Sequence, residues 1–600
     1  MGFTGTSTLI REQDLDIRVE ALPREPQEFR PSGFRSHRPR LSRGRSLLHH
    51  VLNEGAIVFL LAFSIYVTVA VLLAFKYGTM TGDAFSRMAN GFYVIYSRDP
   101  HLAAVGFVWT PLQSMADMVF LLGNHLWPDL SHYDMAGSLV SSLAMAGAAY
   151  QILSALREWG ISRTPRLVLT LLFAINPMIL LYAGNGMSEG LYMFTLTAST
   201  RYLTRWMHRG DLRSLSYAGV ALGFSYLARN EAAGATALGA FVVMLVSYAR
   251  ADGVLASRIK AAFSDFIIFA IPGVVAAAGW AVTSYVITGQ FFGQFSSIYG
   301  NSEQVQQAHN PPFTGRLLFQ FHAFEALAPL IPLVLIASAI LALRRRDPRM
   351  LAPLAVLGGA MGFDVLAYLD NSVFSWFRFY IATVPIQVLL VGSVLAAMHG
   401  APSPSVKRPG KSQSLRVAPR ALIVLAAVLV IFVVMVPATV TTASAMLNPN
   451  IGREESQDLG FIFHAHPTVA DRQWQDRRPQ ILALGRYFAS LHLPNGDIVV
   501  DNSAGCVPEV ITTISQPKLF VIPNDRDFQR ILADPITFHT HYILEPNPAE
   551  VPISATNIQY PNLWTTGAGF TTMVHQIPSR GTCPEFRLFR VLHHSNVVSG

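Results

Sequence analysis

Phe107-Val108-Trp109-Thr110-Pro111-Leu112-Gln113-Ser114-Met115-Ala116-Asp117-Met118-Val119-Phe120-Leu121-Leu122 is the stretch on which the fold turns. A bilayer crossing takes about 20 helical residues, and this apolar run is shorter and interrupted by the Thr110-Pro111 step. The loop that follows, Gly123 to Asp134, carries no Lys or Arg. Counted as a span, the run would move several basic loops outside, against the rule that Lys and Arg stay on the cytoplasmic side. Left as a re-entrant or interfacial helix, it lets the sides alternate in agreement with that rule.

Working outward, apolar stretches of near bilayer length predict eleven spans, near 56–75, 135–156, 166–183, 188–206, 214–229, 232–249, 263–287, 323–343, 351–369, 379–398 and 421–440. Composition agrees: 51% of residues are hydrophobic and only 14% charged, against about 25% charged in an ordinary soluble domain. The 45 Lys+Arg against 37 Asp+Glu give a net charge of +8. Placed residue by residue, that surplus falls on the side predicted to be cytoplasmic. It comprises the N-terminal tail, Arg157/Arg163/Arg166, Arg201/Arg205/Arg209/Arg213, Arg250/Arg258/Lys260, Arg344/Arg345/Arg346/Arg349 and Lys407/Arg408/Lys411/Arg416/Arg420. It records membrane orientation, so no nucleic-acid partner is expected.

The predicted organisation is a disordered basic cytoplasmic tail at 1–54, a transmembrane domain at 55–440 with an external loop at 76–134, and an extracytoplasmic α/β domain at 441–600. The tail is polar and arginine-rich with no apolar core before about Ala56, which does not fit a cleavable signal peptide. In the C-terminal domain Asp497 to Asp501, Lys518 to Ile522, His541 to Leu544 and Phe586 to Leu592 read as strands. Cys506 to Ser515 and Asp525 to Ala533 read as helices between them. Cys506 and Cys583 are the only cysteines and lack zinc-site spacing; an external compartment permits a bridge between them, which sequence alone does not decide.

On this topology acids gather at the external ends of spans. Asp83 follows the first span, Glu189 opens a helix after Gly184-Asn185-Gly186-Met187-Ser188, Arg229-Asn230-Glu231 turns between two short spans, and Arg378 precedes Phe379-Tyr380. Asp364 lies inside a span, where an ionisable group faces a cavity or a partner. Asp83 and Glu189 taken singly also suit first-turn helix acids, and Arg229 and Arg378 also suit snorkelling end residues. His125, His132, His309 and His322 have no metal-ligand spacing. What favours a site is that acids and arginines share one side and one level.

The order of these elements resembles the GT-C glycosyltransferases, with protein O-mannosyltransferases and the aminoarabinose transferases acting on lipid A nearest in pattern. The likeness is carried by the acid after the first span, Trp109-Thr110-Pro111-Leu112, Asn176-Pro177, Ser188-Glu189, Ala221 to Arg229, and Arg378-Phe379-Tyr380 with Pro385. Thr110 stands where the family usually has proline, and Glu189 where it often has Asp. The resemblance implies a polytopic helical membrane enzyme that moves a sugar from a polyprenyl-phosphate donor to a glycan, lipid or protein acceptor by inverting single displacement. In that scheme Asp83 is the general base, with desolvation at the head-group boundary expected to raise its basicity. Arg229 and Arg378, then Arg87 and Lys76, receive the donor phosphate. Glu189 orients the acceptor or shares a divalent cation with Asp83. Trp109, Glu231 and Asp364 are further site candidates. No cofactor is required by the resemblance, and a divalent metal remains an alternative. Membrane lipids complete the expected partners. The rival reading is a transporter or flippase of a glycolipid or envelope precursor, although no internal repeat is visible.

Overall fold

The computed structural model describes residues 42–79, 81–297, 299–300, 305–306, 310–398 and 420–592. The tail up to residue 41, His309, and Lys407, Arg408, Lys411 and Arg416 of the last basic loop lie outside the described residues. The chain divides into two compact units, Met1–Leu52 and Asn53–Gly600. The described part of the first is the helical stretch beginning at Ser42; everything below concerns the second.

Among the described residues seven helices are long and apolar enough to cross a membrane: Glu54–Tyr77, Met135–Glu158, Ala232–Arg250, Leu255–Thr288, Pro348–Leu369, Phe377–Met398 and Ala421–Met446. Two further predicted spans are bent pairs, Arg163–Ala174 with Pro177–Gly184 at 60° and Phe313–Leu327 with Ile331–Arg345 at 74°, which brings the number to nine if each is one span. The first break has a local cause. Pro177 cannot donate to the preceding turn, and the Asn176 side chain accepts instead from the Met178 N–H at 3.0 Å, capping a new helix. The other two of the eleven expected spans are the helices Glu189–Arg209 and Leu212–Ala228. The former ends in His208 and Arg209, and the latter is only 17 residues long.

These two lie in the middle of a row of mutually packed helices. Met135–Glu158 packs on Glu189–Arg209, that on Leu212–Ala228, that on Leu255–Thr288, then Ala232–Arg250 and Leu351–Leu369. Small residues let the backbones approach, as in other membrane bundles. A Cβ on Gly190 would stand 2.7 Å from the Ser141 carbonyl oxygen, and one on Gly219 would stand 2.6 Å from that of Phe269.

The Phe107–Leu122 run contains one ten-residue helix, Leu112–Leu121. At 1.5 Å per residue it reaches about 15 Å, half a hydrocarbon core. It buries Gln113, Ser114 and Asp117 against the loop helix Gly82–Tyr96 and the span Met135–Glu158.

Three of the predicted cytoplasmic arginines make contacts at helix ends among the described residues. Arg166 pairs with Glu54 at 2.7 Å, Arg201 with Glu158 at 2.6 Å, and Arg349 donates to the Trp159 carbonyl at 3.1 Å.

Beyond the last span come the helices Arg453–Phe463 and Val469–Ser490 and a five-stranded sheet. The strands are β1 (Ile498–Val500), β2 (Phe520–Val521), β3 (Tyr542–Pro546), β4 (Thr571–Ile577) and β5 (Phe586–Val591), in the order β2-β1-β3-β5-β4. The pairs β1–β2 and β1–β3 are parallel, and β3–β5 and β4–β5 antiparallel. Cys506 and Cys583 are joined by a disulfide with Cα atoms 5.4 Å apart. One apolar core runs from the loop helix into this region, combining Phe85, Met88 and Phe92 with Val500, Phe520, Leu544 and Phe586. Arg98, just past the loop helix, pairs with Asp525 at 3.0 Å.

Candidate active site

Residues distant in sequence converge on a cavity of about 440 Å³ between the loop helix Gly82–Tyr96, the Arg229 turn and the segment before Phe377–Met398. That volume lies within the range of small-molecule sites. Asp83, Arg87, Trp109, Arg229, Glu231, Asp364 and Arg378 line it. Lys76 does not: it is exposed near the end of the first span, with its ammonium 5.0 Å from the Tyr77 ring.

Local structure explains how each group is presented. Asp83 and Glu189 both sit in the first turn of a helix, where the N-terminal dipole favours a carboxylate. Arg229 ends the helix Leu212–Ala228 in an extended conformation at φ −157°, which turns its side chain away from the helix. Thr110 ties the Pro-Leu helix to the same place, donating to the Ala228 carbonyl at 2.7 Å.

The charges alternate along the wall. Arg378 donates to Asp83 Oδ2 at 2.5 Å and to Glu454, and its Nε lies 3.6 Å from Glu189 Oε1. Arg229 donates to Glu189 Oε1 at 2.5 Å and also pairs with Glu231. Glu189 is fully enclosed, and its Oε2 has no hydrogen-bond partner among the described residues. Phe379 stands between the two guanidinium groups, 5.3 Å from Arg229 and 5.7 Å from Arg378. Arg87 differs from both arginines. It stacks 4.0 Å from the Trp109 ring centroid and has no carboxylate within salt-bridge reach among the described residues.

The expectation that desolvation raises the basicity of Asp83 is corrected by these contacts. Burial does push its carboxyl upward, but the Arg378 and Arg87 charges outweigh it and hold Asp83 below the usual carboxylate range. Its side chain is 32% exposed, so solvent also supports the charge.

A second group of acids went unread in the sequence. Glu454, Glu455 and Asp458 lie on the helix just after the last span. Glu454 shares Arg378 with Asp83, and burial drives its carboxyl well above the usual range although Arg378 opposes this. Two carboxyls on one guanidinium are thus pushed apart, the pattern that separates an ionised group from a protonated one. Glu455 accepts from the Tyr182 hydroxyl at 2.7 Å and Asp458 from Thr81 at 2.5 Å. Burial raises Glu455 to about 7 and Asp458 to about 6. The clue was available, since Arg453-Glu454-Glu455 follows a span end as Asp83 does. Among the described residues no group of three or more His, Cys, Asp or Glu is arranged to hold a metal ion.

Comparison with solved structures finds similarities at low identity. The chain is similar to ArnT. The match is to the crystal structure of ArnT from Cupriavidus metallidurans bound to undecaprenyl phosphate, with TM-score 0.49, 12% identity, and 90% of this chain and 98% of that one covered. The archaeal oligosaccharyltransferase AglB from Archaeoglobus fulgidus, in complex with an inhibitory peptide and a dolichol-phosphate, gives TM-score 0.39 and 12% identity over 90% of this chain and 74% of that one. An Archaeoglobus fulgidus oligosaccharyltransferase tethered to an acceptor peptide gives TM-score 0.40 and 10% identity over 87% and 73%. No protein-family model and no curated protein matches the sequence.

Proposed function

We propose that the chain is a GT-C-type membrane glycosyltransferase that moves a sugar from a polyprenyl-phosphate donor to an extracytoplasmic glycan, lipid or protein acceptor. The reading is supported above all by one observation: Asp83, Glu189, Arg229 and Arg378, drawn from four segments, meet in or beside one cavity that also offers Arg87. An ionised carboxylate can take the acceptor proton, and guanidinium groups can meet the charge that develops on a sugar-phosphate leaving group. The acceptor O–H attacks the anomeric carbon, its proton passes to Asp83, the bond from that carbon to the phosphate oxygen breaks, and polyprenyl phosphate leaves. The arginines meet the growing charge on that phosphate.

Arg87 is the guanidinium group that a phosphate would not have to share with a carboxylate, because Arg229 and Arg378 already hold carboxylates. A phosphate reaching Arg378 would compete with Asp83 for its Nη2 donor. The hold on Asp83 would weaken as the leaving group is neutralised, and its proton affinity would rise when the base is needed. Glu189, enclosed between two arginines, serves to place them. Donor-lipid chains would lie in a groove between spans. The N-terminus is cytoplasmic in this scheme, and the region from 441 onward caps the site from outside.

Reconstituted protein supplied with polyprenyl-phosphate sugars tests the reading. Wild type should release polyprenyl phosphate and form a glycosidic bond, and Asp83→Asn and Glu189→Gln should each fall sharply. Movement of intact glycolipid across the membrane with no bond cleavage would replace this reading with the transporter. For sidedness, an external thiol reagent should label Gly123→Cys and spare Arg346→Cys.

A further inference from the structure

The arginine wall accounts for only part of the cavity. Its lining also includes polar groups with no task in the displacement described above. Asp364 comes from the span Pro348–Leu369, is 4% exposed, and makes no hydrogen bond or salt bridge among the described residues. Gln294 comes from the short turn Gly293–Ser296 between two spans and is also 4% exposed. Both its Nε2 and its Oε1 are buried without a partner among the described residues. Asn230 Oδ1, in the turn after Arg229, is likewise buried and unpartnered. All three residues line the same cavity.

A buried polar atom without a partner is costly, and the unpartnered amide atoms of Gln294 and Asn230, beside the Asp364 carboxyl in one cavity, call for a ligand that supplies the missing bonds. Its chemistry follows from the groups. A carboxylate accepts, and an amide both accepts and donates, so together they match adjacent hydroxyls, each of which does both. Phe363, Phe374, Trp376 and Phe379 line the same space, giving flat apolar surface for the C–H face of a ring.

We propose that Asp364, Gln294 and Asn230 form the subsite that reads the hydroxyl pattern of the transferred sugar, with Asp364 and Gln294 as the specificity-determining pair. This rests on the glycosyltransferase reading and adds the group that discriminates between donors. The phosphate end of the donor then meets the guanidinium groups and the sugar end meets the carboxyl and amide groups lining the same cavity. Asp364→Asn keeps the shape and removes one strong acceptor, while Gln294→Leu removes both functions at similar volume.

The test is a binding measurement on full-length protein in detergent or nanodiscs. Its probes are undecaprenyl phosphate alone and non-cleavable phosphonate analogues of polyprenyl-phosphate hexoses and pentoses that differ at single hydroxyls. Asp364→Asn and Gln294→Leu should each weaken binding of the preferred sugar analogue by about 10- to 100-fold, the usual cost of a lost hydrogen bond to a charged or buried group. Binding of undecaprenyl phosphate should change less than about 2-fold, which a merely structural role would not spare. Wild type should also discriminate against one deoxy analogue that Asp364→Asn binds as well as the parent. Equal loss for the sugar analogue and for undecaprenyl phosphate would overturn the proposal, as would identical selectivity in wild type and variants. If wild type binds the analogues with the expected selectivity and yet never cleaves a true donor, the subsite stands and the transferase reading falls.

Discussion

Glu455 provides the sharpest physical prediction because its cost is stated by its surroundings. It is fully buried, its Oε1 takes the Tyr182 hydroxyl, and its Oε2 has no partner among the described residues. Burial lifts it from 4.5 to about 7. Below pH 4.5 the proton is bound in both folded and unfolded chains, and the stability associated with it is fully present. Between 4.5 and 7 the unfolded chain gives the proton up while the folded chain keeps it, so stability falls as pH rises and is lost above 7. At about 1.4 kcal/mol per pH unit the difference amounts to about 3 kcal/mol. Glu455→Gln is the neutral mimic of the protonated acid and retains an acceptor for Tyr182. Thermal unfolding of the purified protein, followed from pH 5 to pH 8, should show wild type losing stability toward the alkaline end. Glu455→Gln should follow a shallower slope, with near parity at pH 5 and higher stability at pH 8. Parallel curves for the two proteins would refute the buried-proton argument. Asp458, raised to about 6 by burial, should leave a smaller residual slope in the variant.

Other outcomes follow from the same contacts. Asp83→Asn should lower kcat by about 10²- to 10⁴-fold in the transfer assay with a modest change in donor KM. Because Arg378 and Arg87 hold Asp83 below the usual carboxylate range in the free enzyme, wild-type kcat/KM, which reports the free enzyme, should show no loss from this group between pH 7 and pH 5, and a variant-sensitive acid limb of kcat/KM centred near pH 6 and abolished in Asp83→Asn would overturn that direction. Arg87→Leu should raise donor KM and weaken binding of undecaprenyl phosphate by about 10-fold or more, whereas Arg87→Lys should recover part of the loss, since charge is retained without the planar fork; unchanged phosphate binding in Arg87→Leu would remove Arg87 from the phosphate site. Replacing Cys506 and Cys583 together by Ser opens a loop with a sequence separation of 77. By loop entropy that should cost the region about 4–5 kcal/mol, read as faster proteolysis between residues 498 and 591, and equal proteolysis rates would show that the surrounding core alone holds the region.

The sequence by itself settled what depends on neighbours along the chain. Apolar run lengths located the seven helices long and apolar enough to cross a membrane, with two more as bent pairs. The short Leu112–Leu121 helix was legible from its proline step and from a following loop that carries no Lys or Arg. Most of the sheet was visible in alternation and in buried runs such as Ile498–Val500, all three residues of which are buried. The strand β4, Thr571–Ile577, was not: it is an edge strand exposed on nearly every residue, so no core face patterned its side chains. The bend between Ala174 and Pro177 was hidden because hydropathy is blind to direction, and the two halves together read as one span.

Only the tertiary structure decided the charge states and partnerships at the site. Asp83 meets Arg378 across 295 residues, and Glu454 reaches the same guanidinium across 76. No local pattern encodes such pairs, and they reversed the expected basicity of Asp83. Lys76 and Arg87 looked equivalent as cations near the first span, and packing sent one to the surface and the other onto Trp109. Gln294, an unremarked amide in a loop, gained its importance from burial without a partner. Hydrophobic periodicity and charge bias act residue by residue and so are written in the chain, whereas desolvation and ion pairing depend on the three-dimensional neighbourhood and exist only once it has formed.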